Sequence, residues 1–401
     1  MSSETVVGGF RQVVGGSAAP GTVAENTRAV VFAELLTGGP ASRTELSQRL
    51  GLSQSTLTRA VNPLIERGYL REVGVRSSSG GRPQRIVAVT RERHFVVGVK
   101  LAPRAVTAVL TDLEATVVAR SGLPVATDAG PAEVLALAGQ AASYLLRAHA
   151  PSADRLLGVG VGLGGHVDAS RGWCVHSGVM GWDGVDVAGP LSTALELPVV
   201  VNNDANGLLV AERWFGAGRD CESLAVVTVG AGIGCGLMLR GELFTGTTGL
   251  AGELGHIPVL PGGPVCSCGN TGCLEAVASD GAVLAAIERA TGLPSATIAD
   301  ALVRARAGER AVLTAFEEMG AALGRAMATL CNLVNPGKLV LTGEGLIAWD
   351  LFGPACREAL AVHGFSTAAS DCELVTHPAD DDLWARGAAC LAIREAVQAT
   401  R

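Results

Sequence analysis

Within eighteen residues the chain carries one histidine and three cysteines: Glu253-Leu-Gly-His256 is followed by Cys266-Ser-Cys268-Gly-Asn-Thr-Gly-Cys273-Leu-Glu275. No other stretch restricts the fold as tightly, because four ligand side chains this close act together only if the backbone doubles back on itself. One imidazole and three thiolates are the donor set of a closed tetrahedral zinc site. Gly269 and Gly272 give the loop the freedom to turn so that the sulfurs converge. The Cys-x-Cys-x4-Cys spacing is not that of a common zinc finger, and it is far more specific than a lone Cys-x-x-Cys. The reading is a structural zinc ion held by His256, Cys266, Cys268 and Cys273. Glu253, His256 and Glu275 on the same segment are groups suited to holding a polyol.

The 401 residues are 48% hydrophobic and 17% charged, enough to bury large cores in two or three domains. The net charge of -7 means that any nucleic-acid binding must come from a local basic patch and not from the molecule as a whole. The N-terminus lacks a basic region followed by an apolar core, and no apolar run approaches the roughly 18 residues of a membrane span, so a cytoplasmic protein without a membrane partner is expected. The remaining cysteines, Cys174, Cys221, Cys235, Cys331, Cys356, Cys372 and Cys390, are scattered in the manner of core residues and form no disulfide framework.

Residues 1–22 are rich in Gly, Ser, Ala and Val without period and read as a flexible arm. Residues 23–91 read as a winged helix-turn-helix. Ala29, Val30, Phe32, Ala33, Leu35 and Leu36 give a first helix with an apolar face, ended by Gly38-Gly39-Pro40. Ser42 caps a second helix, with Glu45 three residues on. Gly51 then supplies the turn before Ser53 caps a third helix, running through about Arg67. Pro63 falls inside that third helix, removing one backbone bond and predicting a kink. Tyr69–Val75 and Ile86–Val89 read as two wing strands around a tip with Arg76, Arg82 and Arg85 and no acid. In this geometry the third helix presents Ser53, Gln54, Ser55, Thr56 and Arg59 to base edges of double-stranded operator DNA, while Arg82 suits phosphates or a narrow minor groove.

From residue 92 to 401 strands and helices alternate. Phe95–Lys100, Ala105–Leu110 and Ala115–Arg120 are three strands in sequence, followed by a helix over Pro131–Ala148 and the strand Leu157–Val161. The series recurs as Leu224–Thr228, Gly234–Leu239, a long helix over Ala311–Leu333, the strands Lys338–Thr342 and Cys372–Thr376, and a closing helix from about Leu383. The fold class is therefore α/β: a winged helix-turn-helix followed by an actin-like, ribonuclease-H-like two-lobed fold of the sugar-kinase type.

Four segments carry a family resemblance. They are Gly164-Gly-His-Val-Asp168, Trp182-Asp-Gly-Val, Pro198-Val-Val-Val-Asn-Asn203-Asp204-Ala-Asn206, and the Glu253/His256/cysteine segment. In this order they resemble the ROK family, whose name joins repressors, open reading frames and sugar kinases, over about residues 26–400. A sugar presents hydroxyls that both donate and accept, so its site needs convergent polar groups. The resemblance implies that Asn203, Asp204, Glu253, His256 and Glu275 bind the sugar, with one ring nitrogen of His256 on zinc and the other on the ligand.

In a kinase of this family Asp204 would be the general base on the attacked hydroxyl. The resemblance implies a first phosphate loop in the family's kinases, an Asp-x-Gly-Gly-Thr turn whose backbone amides cradle phosphates and whose aspartate helps hold Mg2+. Here the matching run is Val97-Gly-Val-Lys100-Leu-Ala-Pro103-Arg104, in which lysine replaces the aspartate and the glycine pair is missing. A second phosphate loop, Gly230-Ala-Gly232-Ile-Gly234-Cys-Gly236, is intact, and Thr342-Gly343-Glu-Gly345 resembles the nucleotide-side turn with a glutamate intruding. The expectation is a non-enzymatic, sugar-responsive transcriptional repressor of carbohydrate genes, acting as a homodimer or tetramer on operator DNA with a sugar or sugar phosphate as effector. The alternative is an active ATP-dependent sugar kinase with a DNA-binding arm.

Overall fold

The computed structural model of the chain describes residues 23–76, 83–149, 155–295, 297–379 and 382–397. Contacts divide it into two compact units, one running to Arg219 and resuming at Asp382, the other spanning Asp220–Asp381.

The first unit opens with the winged helix. Helix α1 (Val23–Gly38) buries Val31, Phe32, Leu35 and Leu36, whereas Val30, expected on the apolar face, is exposed. The two-residue strand β1 (Ala41–Ser42) leads into α2 (Arg43–Leu50) through a full capping box: Ser42 Oγ accepts the Glu45 N–H and the Glu45 carboxylate accepts the Ser42 N–H. Gly51 ends α2 in the left-handed region, with φ 64°. Ser53 then caps α3 (Gln54–Glu66), which buries Leu57, Ala60, Val61 and Leu64 and continues past Pro63. The proline has no N–H to give, but these buried side chains hold the last turn. Strands β2 (Leu70–Arg76) and β3 (Gln84–Val89) complete a sheet of order β1-β3-β2.

An antiparallel meander of β4 (Phe95–Ala102), β5 (Ala105–Asp112) and β6 (Val117–Pro124) follows. The third strand starts two residues later than the expected Ala115. Ala115 sits at φ 57°, and Asp112 Oδ1 accepts the N–H groups of Glu114 and Thr116 to close the turn. After α4 (Pro131–His149), β7 (Leu156–Leu163) runs parallel to β4. A small antiparallel sheet, β8 (His166–Asp168), β9 (Trp173–Ser177) and β10 (Trp182–Asp186), was not expected from the sequence. Helix α5 (Ala188–Leu195), β11 (Val199–Asn203) and α6 (Asp204–Phe215) complete this stretch, giving the order β11-β7-β4-β5-β6.

The second unit repeats that plan. Strands β12 (Leu224–Val229), β13 (Ile233–Leu239) and β14 (Glu242–Leu243) form the meander, and helices α7 (Leu274–Ala278), α8 (Asp280–Thr291), α9 (Ile298–Arg306) and α10 (Arg310–Val334) follow. Then β15 (Lys338–Gly343), α11 (Trp349–His363) and β16 (Glu373–Pro378) close the order β14-β13-β12-β15-β16, with β15 and β16 parallel to β12. The recurrence matches the repeated series read from the sequence.

The last described element, α12 (Leu383–Val397), is back in the first unit. This helix lies on β4 and β7 at a distance only small residues allow. A Cβ on Gly98 or Gly160 would run into the backbone of Ala385 or Ala388. That close approach fixes Trp384, at the start of α12, beside Lys100 of β4. Among the described residues no helix is long and apolar enough to cross a membrane.

Candidate functional site

The residues expected to face DNA differ in how they are held at the start of α3. Gln54, Ser55 and Arg59 are exposed. Ser53 and Thr56 are committed to the turn itself: Ser53 Oγ accepts the Thr56 N–H and lies 2.9 Å from both Ser55 Oγ and Thr56 Oγ1. Arg82 lies outside the described residues. The acid-free wing tip is balanced by acids from elsewhere in the domain, since Arg76 pairs with Glu45 at 2.5 Å and Arg85 with Glu72 at 2.5 Å. Such exposed pairs contribute about 0–1 kcal/mol.

Asn203 and Asp204 stand where β11 gives way to α6. Asn203 caps the helix: its Oδ1 accepts the Ala205 N–H and its Nδ2 donates to the Gly165 carbonyl, both at 2.9 Å. Ser177 donates to the Gly164 carbonyl at 2.6 Å, so the Gly164–Gly165 turn is held from both sides. Asp204 Oδ1 also accepts the Ala205 N–H, and its Oδ2 pairs with the Lys100 ammonium, which lies 4.8 Å from the centroid of the Trp384 ring. A carboxylate has about four lone-pair positions, so Asp204 keeps acceptor capacity for a hydroxyl after these bonds. The contact joins residues 104 apart, a separation at which sequence spacing carries no signal.

The other three sugar candidates belong to the second unit. Glu253 precedes a 3-10 turn, Leu254–His256, and its Oε2 lies 3.9 Å from His256 Nε2. Glu275, in the first turn of α7, accepts the Ile233 N–H at 3.1 Å, which ties it to the glycine-rich turn between β12 and β13.

His256 Nδ1 faces the cysteines. The ligand atoms of His256, Cys266, Cys268 and Cys273 all lie within 4.8 Å of one another. The Cys268–Cys273 sulfur separation is 3.7 Å and Cys266 Sγ is 3.5 Å from His256 Nδ1. Zn–S and Zn–N bonds of about 2.3 and 2.0–2.1 Å arranged tetrahedrally demand edges of about 3.8 and 3.6 Å. The donor set therefore fits a four-coordinate metal ion, and the two nitrogens of His256 face different partners, Nδ1 toward Cys266 Sγ and Nε2 toward Glu253. The glycines do what their spacing implied: Gly269 and Gly272 adopt φ 89° and 70°, and a Cβ on Gly272 would strike the Leu260 carbonyl. The backbone N–H of Asn270 draws the Cys268 thiol down to about 7, whereas burial pushes Cys273 up to about 12.

Comparison with known proteins covers both parts of the chain. The ROK family model matches residues 96–395, and the MarR family model matches residues 26–82. NagC, a DNA-binding transcriptional dual regulator of Escherichia coli (strain K12), is 32% identical over 82% of this chain and 84% of its own length. The xylose repressor of Bacillus subtilis (strain 168) is 26% identical over 86% and 89%. Among solved structures, a ROK family transcriptional regulator, a homologue of the Escherichia coli MLC protein, is 25% identical with TM-score 0.79, covering 94% of this chain and 98% of that one. A ROK family glucokinase from Streptomyces griseus shares the fold with TM-score 0.65 at 24% identity, covering 74% and 98%.

Proposed function

The chain belongs to the ROK family, and from that premise we propose that it is a sugar-responsive, DNA-binding transcriptional repressor of carbohydrate genes. The observation that carries the reading is the extent of the structural match. The regulator covers the winged helix and the α/β units together, while the glucokinase covers a share that matches the α/β part alone.

The exposed Gln54, Ser55 and Arg59 on α3 would enter a major groove, with Ser53 and Thr56 ordering the turn that presents them and Arg82 supplying wing charge. A homodimer or tetramer would supply the second half-site. The proposed sugar ligands are Asn203, Asp204, Glu253, His256 and Glu275, with a sugar or sugar phosphate as effector. His256, Cys266, Cys268 and Cys273 would hold a structural zinc ion, which when bound orders the loop carrying Glu253 and Glu275. Lys100 takes the place of a metal-binding aspartate, and the β4–β5 connection closes in a two-residue turn at Pro103–Arg104 where a kinase has its first phosphate loop. Both features speak for a binding role of Asp204 and against phosphoryl transfer. The retained Asp204 at a helix start favours the second reading, a sugar kinase with a DNA-binding arm.

The test is selection of bound fragments from genomic DNA, followed by anisotropy titrations with a panel of pentoses, hexoses, amino sugars and their phosphates. One sugar is expected to weaken operator binding by about 5–150-fold. Arg59→Ala should weaken operator binding by about 1–3 kcal/mol and relax specificity at the base it reads, whereas Arg82→Ala should weaken binding to all sequences and flatten its salt dependence by about one unit of slope. ATP-dependent turnover of any sugar in the panel, abolished by Asp204→Asn and unaccompanied by selective DNA binding, would overturn the repressor reading.

A further inference from the structure

The turn between β12 and β13, Gly230-Ala-Gly232-Ile-Gly234, has a run of small residues of the kind whose backbone amides cradle an anion. In this chain carboxylates crowd it. Glu275 Oε2 accepts the Ile233 N–H at 3.1 Å, and a Cβ on Gly232 would lie 2.9 Å from that same oxygen. On the other side a Cβ on Gly230 would lie 2.9 Å from Glu344 Oε2. The backbone explains why Glu344 is there. Gly343, at φ 106°, and Gly345 both pack against Val229 so closely that neither has room for a side chain, so the residue between them projects beside the turn. A third acid joins them. The Asp280 N–H donates to the Gly230 carbonyl at 2.8 Å, which sets the first turn of α8 on the same loop. Burial, and after it the charge of Glu344, pushes the Asp280 carboxyl above its ordinary range, as expected for acids that share one small space.

Glu275 already has a place in the sugar reading; Glu344 and Asp280 have none. We propose that Glu344 and Asp280 are specificity-determining residues that fill the glycine turn with the chain's own negative charge and exclude the phosphates of a nucleoside triphosphate. The turn then persists for its tight backbone geometry, and the site is closed to ATP by residues that a kinase would have to replace. This deepens the regulator reading and rests on it.

The experiment measures equilibrium binding of a non-hydrolysable ATP analogue with Mg2+ to the full chain by calorimetry. It compares the wild type with Glu344→Gln, Glu344→Gly and the double variant Glu344→Gly/Asp280→Asn. The wild type is expected to show no saturation at millimolar analogue, and the double variant to bind at least fivefold tighter, with Glu344→Gln between them. Saturation of the wild type in the micromolar range overturns the proposal. So does a gain under fivefold in the double variant when its melting transition is native. If the glycine variants do not fold, Glu344→Gln, which removes charge and keeps size, decides by the same comparison with the wild type. Operator binding is measured on the same preparations. Its absence in the wild type would count against the regulator reading, while the ratio of nucleotide affinities still judges the plug.

Discussion

Lys100→Met tests the contact on which the first unit's site depends. The methionine keeps an unbranched chain of similar reach over Trp384 but removes the ammonium, leaving the Asp204 carboxylate with only the Ala205 N–H among the bonds described above. Breaking a fully buried ion pair by removing one partner costs about 3–5 kcal/mol, because the remaining charge is left desolvated. Here the side chains retain 16% and 13% of their exposure, so some water reaches the pair. The expected loss is accordingly about 2–3 kcal/mol. For a unit of this size each kcal/mol shifts the melting temperature by about 2–4 °C, which gives a depression of about 4–12 °C.

Asp204→Asn should cost less, since the ammonium keeps its place over the Trp384 ring, 4.8 Å from the centroid. The double variant Lys100→Met/Asp204→Asn removes both charges and should recover much of the loss, with a coupling of about 2 kcal/mol in a double-mutant cycle. The assay is thermal melting followed by intrinsic fluorescence, with Trp384 beside the perturbed pair. A shift under 1 °C in Lys100→Met, or losses that simply add in the double variant, would refute the view that these residues form one coupled pair.

Two further outcomes follow from the second unit. Cys268→Ser, or chelation of the wild type, should remove a stoichiometric zinc ion and abolish the sugar response while the winged helix still binds operator. With metal at a thousandfold over its Kd the lost stabilisation is about 4 kcal/mol, read as a fall in melting temperature together with metal content; a normal sugar response without zinc would refute it. Asp280→Asn should raise the melting temperature at neutral pH. The folded state holds the Asp280 carboxyl above its ordinary value, so the ionised form opposes folding at high pH, and that penalty vanishes as the pH falls below the ordinary carboxylate range of about 4. The variant's advantage should therefore shrink as the pH is lowered through that window, and an advantage independent of pH would refute burial of the charge as its cause.

What the sequence made legible is what a few neighbouring residues decide. The Ser42/Glu45 box and the Ser53 cap each act across three residues, and both are formed. The metal-type cluster closes within eighteen residues on glycines that had to turn. The repeated strand and helix series was readable because each buried strand is a run of apolar residues ended by a turn. The small sheet β8-β9-β10 was missed because its strands are only three to five residues long and mix tryptophans with charged groups, so no period develops.

The site contacts were illegible for a different reason. Lys100 reaches Asp204 only because β4 pairs with β7 and β7 with β11, which is a matter of register across separate strands. The arginines of the wing looked uncompensated because Glu45 and Glu72 are supplied by α2 and β2, folded back beside them. Glu344 reads in the sequence as one intruding residue in a glycine run, and Asp280 as an unremarked acid after a serine. Their meaning depends on two turns, separated by more than a hundred residues, meeting at the ends of adjacent strands β12 and β15. Intact glycines preserve the shape of such a turn, but the charge it offers a ligand is set by side chains from elsewhere, so the glycine pattern cannot by itself say whether the turn still binds phosphate.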